Sequence, residues 1–117
     1  MAALLQHGID ANVSRFGQTA LHFAAAYHGK VGEEDRVRFA SMLLDHGARL
    51  DLRDDLLTST PLGWACRWGR AKLVKLLIQR GASVIEPDAE PWATPKAWAT
   101  KMKHDGILAI LREHSNF

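Results

Sequence analysis

The chain has 117 residues, 47% of them hydrophobic and 24% charged, with a formal net charge of +2, which suits one small domain with a single core. No apolar run approaches the roughly 20 residues of a membrane-spanning helix, and the opening residues do not read as a secretory signal. The single cysteine, Cys66, cannot pair within the chain, so the reading is of a cytoplasmic protein.

In chain order, Met1–His7 reads as the tail of a helix whose preceding partner helix is absent, closed at Gly8. Ile9–Phe16 makes a projecting finger with Gly17 at its turn. A helix is expected over Ala20–His28. The segment Gly29–Asp35, GKVGEED, reads as a loop between two helices that projects without entering the core, so that its deletion costs little. The second helix of this unit is expected from Glu33 or Asp35 to His46, its acids meeting the positive end of the helix dipole. Ala48–Ser59 is the next finger, with Asp51, Asp54 and Asp55 as turn acids. Thr60–Gly81 then carries a helix to Gly69 and a second helix whose Leu73, Val74, Leu76, Leu77 and Ile78 bury one broad face. Pro61 suits the first turn of a helix, and Gly81 suits the left-handed residue that closes one. Ala82–Ala93 is a third finger stiffened by Pro87 and Pro91, and Pro95–Met102 with His104–His114 form a last helix pair.

These units repeat. Thr60-Pro61 recurs as Thr94-Pro95 after 34 residues, TPLGWA against TPKAWA, and Thr19 opens the same slot with TALHFAA. Gly81 maps back 34 residues to Gly47, and Gly8 holds the same place. The step from Thr19 to Thr60 is 41 residues; aligning Arg36 with Arg70 puts the extra seven at about 29–35. The opening Thr19-Ala20-Leu21-His22-Phe23-Ala24-Ala25 and the closing Leu43-Leu44-Asp45-His46-Gly47-Ala48 resemble the ankyrin repeat family, whose signature is T-P-L-H-x-A. The resemblance runs through essentially the whole chain and implies an all-α solenoid of helix–turn–helix units with short β-hairpin-like fingers. The expected organisation is one domain: a partial repeat at 1–8, a first full repeat at 14–47 with its insertion near 29–35, a second at 55–81 and a C-terminal capping repeat at 89–117. Arg112, in a column otherwise held by Leu5, Leu44 and Ile78, suits a terminal cap, and the array is expected to end there. His22 has no copy, because Gly63 and Ala97 replace it, so the later turns must be held by other means.

Charge is uneven. Residues 56–85 contain Arg67, Arg70, Lys72, Lys75 and Arg80 and no acid until Glu86, whereas 33–55 carry seven acids against four bases. This is first an ordinary solvated surface, and second a bias toward a partly acidic protein partner. Nucleic acid is disfavoured because the bases do not form a phosphate-tracking stripe. His7, His46 and His114 string along the array one per unit and do not converge on a metal, and neither His22 nor Cys66 has zinc-type spacing. No nucleophile motif or phosphate loop is present, so neither catalysis nor a cofactor or metal is expected.

Trp64 and Trp98 share the column of Phe23 and read as packing between repeats. Trp68 aligns with Tyr27 and Met102 at the end of each first helix. The family resemblance implies that this site, the residue before it and the fingertips line a concave binding surface. Carried onto this sequence, that surface comprises Phe16, Gln18, Ala26, Tyr27, Leu56, Leu57, Ser59, Arg67, Trp68, Lys101 and Met102, with Glu90 beside them. The expected function is a non-enzymatic protein–protein interaction module, with end-to-end self-association as the alternative and an enzyme a distant third. A weak homodimer through the uncovered apolar residues of Met1–His7, Leu5 above all, or fraying of those turns, is expected with it.

Overall fold

A computed structural model describes Asn12, Ser14, 16–28 and 30–114. The half-repeat at Met1–His7, with the homodimer expected through it, and most of the finger at Ile9–Phe16 lie outside these residues. Six helices follow one another: α1 (Ala20–Ala26), α2 (Glu33–Asp45), α3 (Pro61–Arg67), α4 (Ala71–Gln79), α5 (Pro95–Lys101) and α6 (Asp105–Glu113), with one 3-10 turn at Pro91–Ala93. Each lies within about two residues of its expected span. Among the described residues the fingers are turns and extended segments with no strand.

The local signals act as read. Thr60 and Thr94 cap α3 and α5, their hydroxyl oxygens accepting from the backbone N–H of Gly63 at 3.2 Å and of Ala97 at 3.1 Å, with proline at the first helical position. The helices close with reverse-turn bonds: Ala48 N donates to Leu43 O at 3.0 Å, and Ala82 N to Leu77 O at 2.9 Å.

The six helices form two rows. α1, α3 and α5 pack side by side, and α2, α4 and α6 pack behind them. Ala25, Ala65 and Ala99 are fully buried along the first row, where small side chains let neighbouring helices approach. Leu43, Leu73, Val74 and Leu77 are fully buried along the second, each contributing roughly 1.5–3 kcal/mol of transfer free energy. Side chains at helix starts fasten the carbonyl ends of the first row. Arg36 donates to Ala24 O and Tyr27 O; Arg70 donates to Ala25 O at 2.9 Å and to Tyr27 O. His104, one period after Arg70, reaches Arg67 O at 3.2 Å. A cation at a helix C-terminus answers both the orphan carbonyls and the negative end of the dipole. Arg36 is almost completely buried, and burial first, then the neighbouring Arg70, pulls its pKa below the usual guanidinium value.

Helix α2 starts at Glu33, the earlier of its two expected starts, so the insertion is not the wholly projecting loop expected over 29–35. Glu33, Glu34 and Asp35 form the first turn of α2, which is therefore four residues longer than the 9-residue α4 and α6. Glu33 Oε2 also accepts from Lys72 N at 3.1 Å, at the start of α4. Of the insertion's described residues only 30–32 remain a connecting loop; Glu33, Glu34 and Asp35 are helix, because three acids at a helix start are favoured by the dipole. Deleting 29–35 therefore removes a helical turn and a contact to the next repeat.

Gly69 and Lys103 occupy the same slot after α3 and α5, both with positive φ, 72° and 60°. Lys103 bears the steric cost that glycine avoids, roughly 1–2 kcal/mol for an L-residue in this conformation. A β-carbon at Gly69 would sit 2.8 Å from His104 Cε1. Urea denaturation should find Lys103→Gly more stable by about 1 kcal/mol and Gly69→Ala less stable by at least as much. Equal midpoints for the two variants would contradict this account.

Candidate partner-binding face

The face is positioned from the second finger, where one carboxylate organises the backbone. Asp54 is buried and accepts four hydrogen bonds: from Leu56 N at 3.0 Å, Leu57 N at 2.7 Å, Ser59 N at 3.0 Å and the Trp64 indole N–H at 2.9 Å. The first finger joins it through Asp55 N, which donates to Phe16 O at 2.9 Å. His22 completes the joint. Thr19 N donates to its Nδ1 at 3.1 Å, so Nε2 carries the hydrogen and donates to Ser59 O at 3.0 Å. Burial lowers the His22 pKa against the pull of Ser59 and Asp54, which keeps the ring neutral, as this tautomer requires.

The two later turns are indeed held without a histidine. Trp98 donates its indole N–H to Ser59 Oγ at 2.8 Å, and the Trp98 ring lies 3.6 Å from where a Gly63 β-carbon would be. Trp98 thus lies against the space that a side chain at position 63 would need. Trp64 and Trp98 are core residues, as read, whereas Phe23 in the same column is 51% exposed.

Along the first-helix row an aromatic and cationic line emerges. Trp68 stacks on Trp64 with centroids 5.2 Å apart and donates to His28 Nε2 at 2.9 Å. The Arg67 guanidinium lies 4.5 Å from the Trp68 ring and 5.1 Å from that of Trp98, and approaches Met102 Sδ at 4.0 Å. Lys101 lies 5.7 Å from the Trp98 ring, and Trp92 meets that ring edge-on at 6.1 Å. Cation–π contacts of this kind contribute roughly 0.5–1 kcal/mol each at exposed sites.

Of the expected surface residues, Arg67, Trp68, Lys101 and Met102 come together here. Tyr27 is 56% exposed and precedes His28, whose ring meets Trp68. Ala26 and Gln18 are half-buried, and Leu57 is half-buried at the fingertip. Among the described residues, Phe16 and Leu56 are the most exposed large apolar side chains, at 68% and 72%, and Glu90 is exposed beside the 3-10 turn. Ser59 is corrected: it is fully buried, its hydroxyl lying 2.8 Å from Leu57 O and 3.2 Å from Ala93 O, so it serves the turn and meets no partner. The charge reading also changes. Lys72, Lys75 and Arg80 are on or just after α4 in the second row, and Arg80 pairs with Asp45 at 2.7 Å. Arg67 and Lys101 bring positive charge to the rings of the aromatic line, while the guanidinium groups of Arg36 and Arg70 are held on the Tyr27 carbonyl. Trp92, His28 and Phe23 were missed as surface residues; the exposed Trp92 sits between prolines and acids in a finger, and no column alignment picks it out.

Glu86 was also missed. It lies nearly buried in the third finger, takes the Thr60 hydroxyl on Oε2 at 2.8 Å and faces Arg53 at 3.7 Å. Arg53 bonds Asp88 at 3.0 Å, joining the second finger to the third. Burial raises the Glu86 pKa above the usual carboxylate range, against the opposing pull of Thr60 and Arg53. Burial, with Glu86 second, pushes the Cys66 thiol up, so it stays protonated and unreactive. Among the described residues no three His, Cys, Asp or Glu side chains gather as a metal site, and no helix is long and apolar enough to cross a membrane.

Paired helices in two rows, tight turns at the start of each unit and a common 34-residue period define a repeat solenoid. The family model for ankyrin repeats, in three copies, matches residues 1–88. The chain belongs to the ankyrin repeat family, which serves as a general protein–protein interaction module and is generally non-enzymatic. The C-terminal unit beyond residue 88 continues the same helix pairing. The chain is 37% identical over 90 residues to glycerophosphocholine phosphodiesterase gde1 of Schizosaccharomyces pombe, covering 76% of this chain and 7% of that protein. It is 36% identical over 78 residues to ankyrin repeat domain-containing protein 63 of Homo sapiens, covering 65% of this chain and 20% of that protein, and equally to its Mus musculus counterpart, at 19% of that protein. The matched region thus spans at most a fifth of the length of these relatives.

Two measurements probe the joint. Asp54→Asn replaces two of four acceptor positions by an N–H group facing donors, and should lower the unfolding free energy by about 2–4 kcal/mol; a loss below the resolution of urea titration would remove Asp54 as the organiser. For Glu86, the folded chain holds the proton more tightly than the unfolded chain, where the pKa is about 4.3. Stability from this group therefore rises as the pH falls through the raised folded value to the unfolded one. The stability of the parent relative to Glu86→Gln should increase from about pH 8 to about pH 4, and a constant difference would show that the carboxyl is not desolvated.

Proposed function

We propose that the chain is a non-enzymatic binding module of the cytoplasm that holds a protein partner along the face running from Tyr27 through Trp68 and Arg67 to Met102 and Lys101. The observation that carries this reading is the alignment of incompletely buried aromatic and thioether side chains at the ends of three successive first helices, with one guanidinium between two indoles. Aromatic and arginine side chains are those that most often anchor interfaces, and methionine adapts to an incoming surface. The fingertip residues Phe16 and Leu56 extend the same contact region. With Arg67 and Lys101 as its cations, the face suits a segment presenting an apolar anchor beside one or two acids, a narrower charge demand than the whole basic stretch of the sequence suggests. Among the described residues, His22 and Cys66 are buried in the core and His46 and His104 bond helix-end carbonyls, which supports a role without catalysis.

Trp68 also packs on Trp64, so truncating it would disturb the fold as well as the face. Tyr27 and Met102 are the cleaner probes. With a partner recovered by affinity capture, calorimetric titration should show Tyr27→Ala and Met102→Ala together weakening binding by about 2 kcal/mol or more. Lys75→Ala, in the second row, should bind as the parent does, and all variants should melt together. A partner whose affinity follows Lys75 and ignores Tyr27 and Met102 would move the site to the second row.

A further inference from the structure

A cavity of about 640 Å³ lies away from the aromatic line, between the third finger and the C-terminal helix pair. Its lining is mostly apolar, with Val84, Pro87, Pro91, Leu108 and Leu111 in the wall; its polar lining is Thr94, the exposed Lys96, Arg112 and one carboxyl, Glu86, which the Thr60 hydroxyl already holds. The interior of the array shows how such a groove is filled. One period earlier, Val74 and Leu77 stand in the places of Leu108 and Leu111 and are completely buried. The hydroxyl of Thr60, in the place of Thr94, donates to the carboxylate of Glu86, which the following finger brings in within Val84-Ile85-Glu86-Pro87. At the C-terminal unit, Thr94 Oγ1 accepts from Ala97 N, but among the described residues its hydroxyl hydrogen reaches no acceptor.

We propose that this groove is a second binding site, distinct from the aromatic face, for an extended partner segment in which a carboxylate is flanked by aliphatic residues or proline. The carboxylate takes the Thr94 hydroxyl and faces Lys96, repeating the join that Glu86 makes to Thr60. The aliphatic and proline side chains cover Val84 and Leu108, which are only half-buried beside the buried Leu111, removing apolar surface from water. The occupant is thus the chemical likeness of this chain's own third finger, supplied by another protein.

The probe is the end-blocked peptide Ala-Ser-Val-Ile-Glu-Pro-Asp-Ala-Glu, the sequence of residues 82–90, titrated into the isotope-labelled full chain by NMR. Saturable shifts are expected at residues 84–96 and 108–111. The same peptide carrying Glu86→Gln should bind about tenfold more weakly, as should the parent peptide to Lys96→Glu, a charge reversal at an exposed site. Tyr27→Ala should leave peptide affinity unchanged, and the melting temperature of Lys96→Glu should match the parent. The proposal is overturned by the absence of saturable shifts, by shifts confined to the aromatic line, or by equal affinity of the Gln peptide. It is equally overturned if the groove residues shift with protein concentration alone, which would make a second copy of the chain the occupant.

Discussion

The second finger and the tryptophan pair beside it hang from the buried carboxylate of Asp54. A desolvated carboxylate is tolerated only where donors surround it, and here three backbone N–H groups and one indole N–H do so. The backbone bonds wind the second fingertip and present Leu56. The indole bond orients Trp64, on which Trp68 stacks, and the Trp68 ring in turn offers its face to Arg67. A single acceptor therefore sets both the finger and the side-chain line on the helices beside it. Because Ser59, held by Asp54, also meets His22 and Trp98, three consecutive repeats converge on a few atoms of one turn.

Repeat proteins are held by contacts between neighbours, and the polar part of those contacts is concentrated in two places. One is this turn. The other is the column of Arg36, Arg70 and His104, whose members bind carbonyls at the ends of the first-row helices. Exposed pairs such as Arg49 with Asp51 have little part in this, since solvent screens them. The surface charge that looks most prominent in the sequence is thus the least consequential for architecture, and the charges that matter are those taken out of water.

The helices, their proline starts and their glycine closures were legible in the sequence because each depends on residues within one turn of one another. The 34-residue period was legible because equivalent positions carry equivalent local duties. Asp54 and Glu86 were not. In sequence Asp54 is one of three acids in a loop, and what separates it from Asp51 and Asp55 is a tertiary environment that includes Trp64, ten positions away. Glu86 answers Thr60 across a repeat boundary, and no local pattern announces an acceptor 26 residues distant. Ser59 was misplaced for the converse reason: family position marks it as a surface residue, but the indole of Trp98, 39 residues away, bonds its hydroxyl. The acids of the insertion carried both signals, a surplus to the period and a charge suited to a helix start, and the helix start won: surplus residues adjacent to a helix can simply lengthen it.

The tryptophan at position 98, lying against the space above Gly63, has a further effect on how the chain assembles. Arrays of near-identical units are prone to pair the wrong neighbours, and misassembly between similar modules is a known failure of repeat chains. Here each junction carries a different shape: a histidine between the first pair of units, a tryptophan against a glycine between the next. A unit shifted by one period would set His22 at the site of Gly63, where even a β-carbon would come within 3.1 Å of Ser59 Cβ and 3.6 Å of the Trp98 ring. Irregularity at this column acts as a lock on register, so the departures from the family signature help the chain choose one order of stacking among several that its backbone alone would allow.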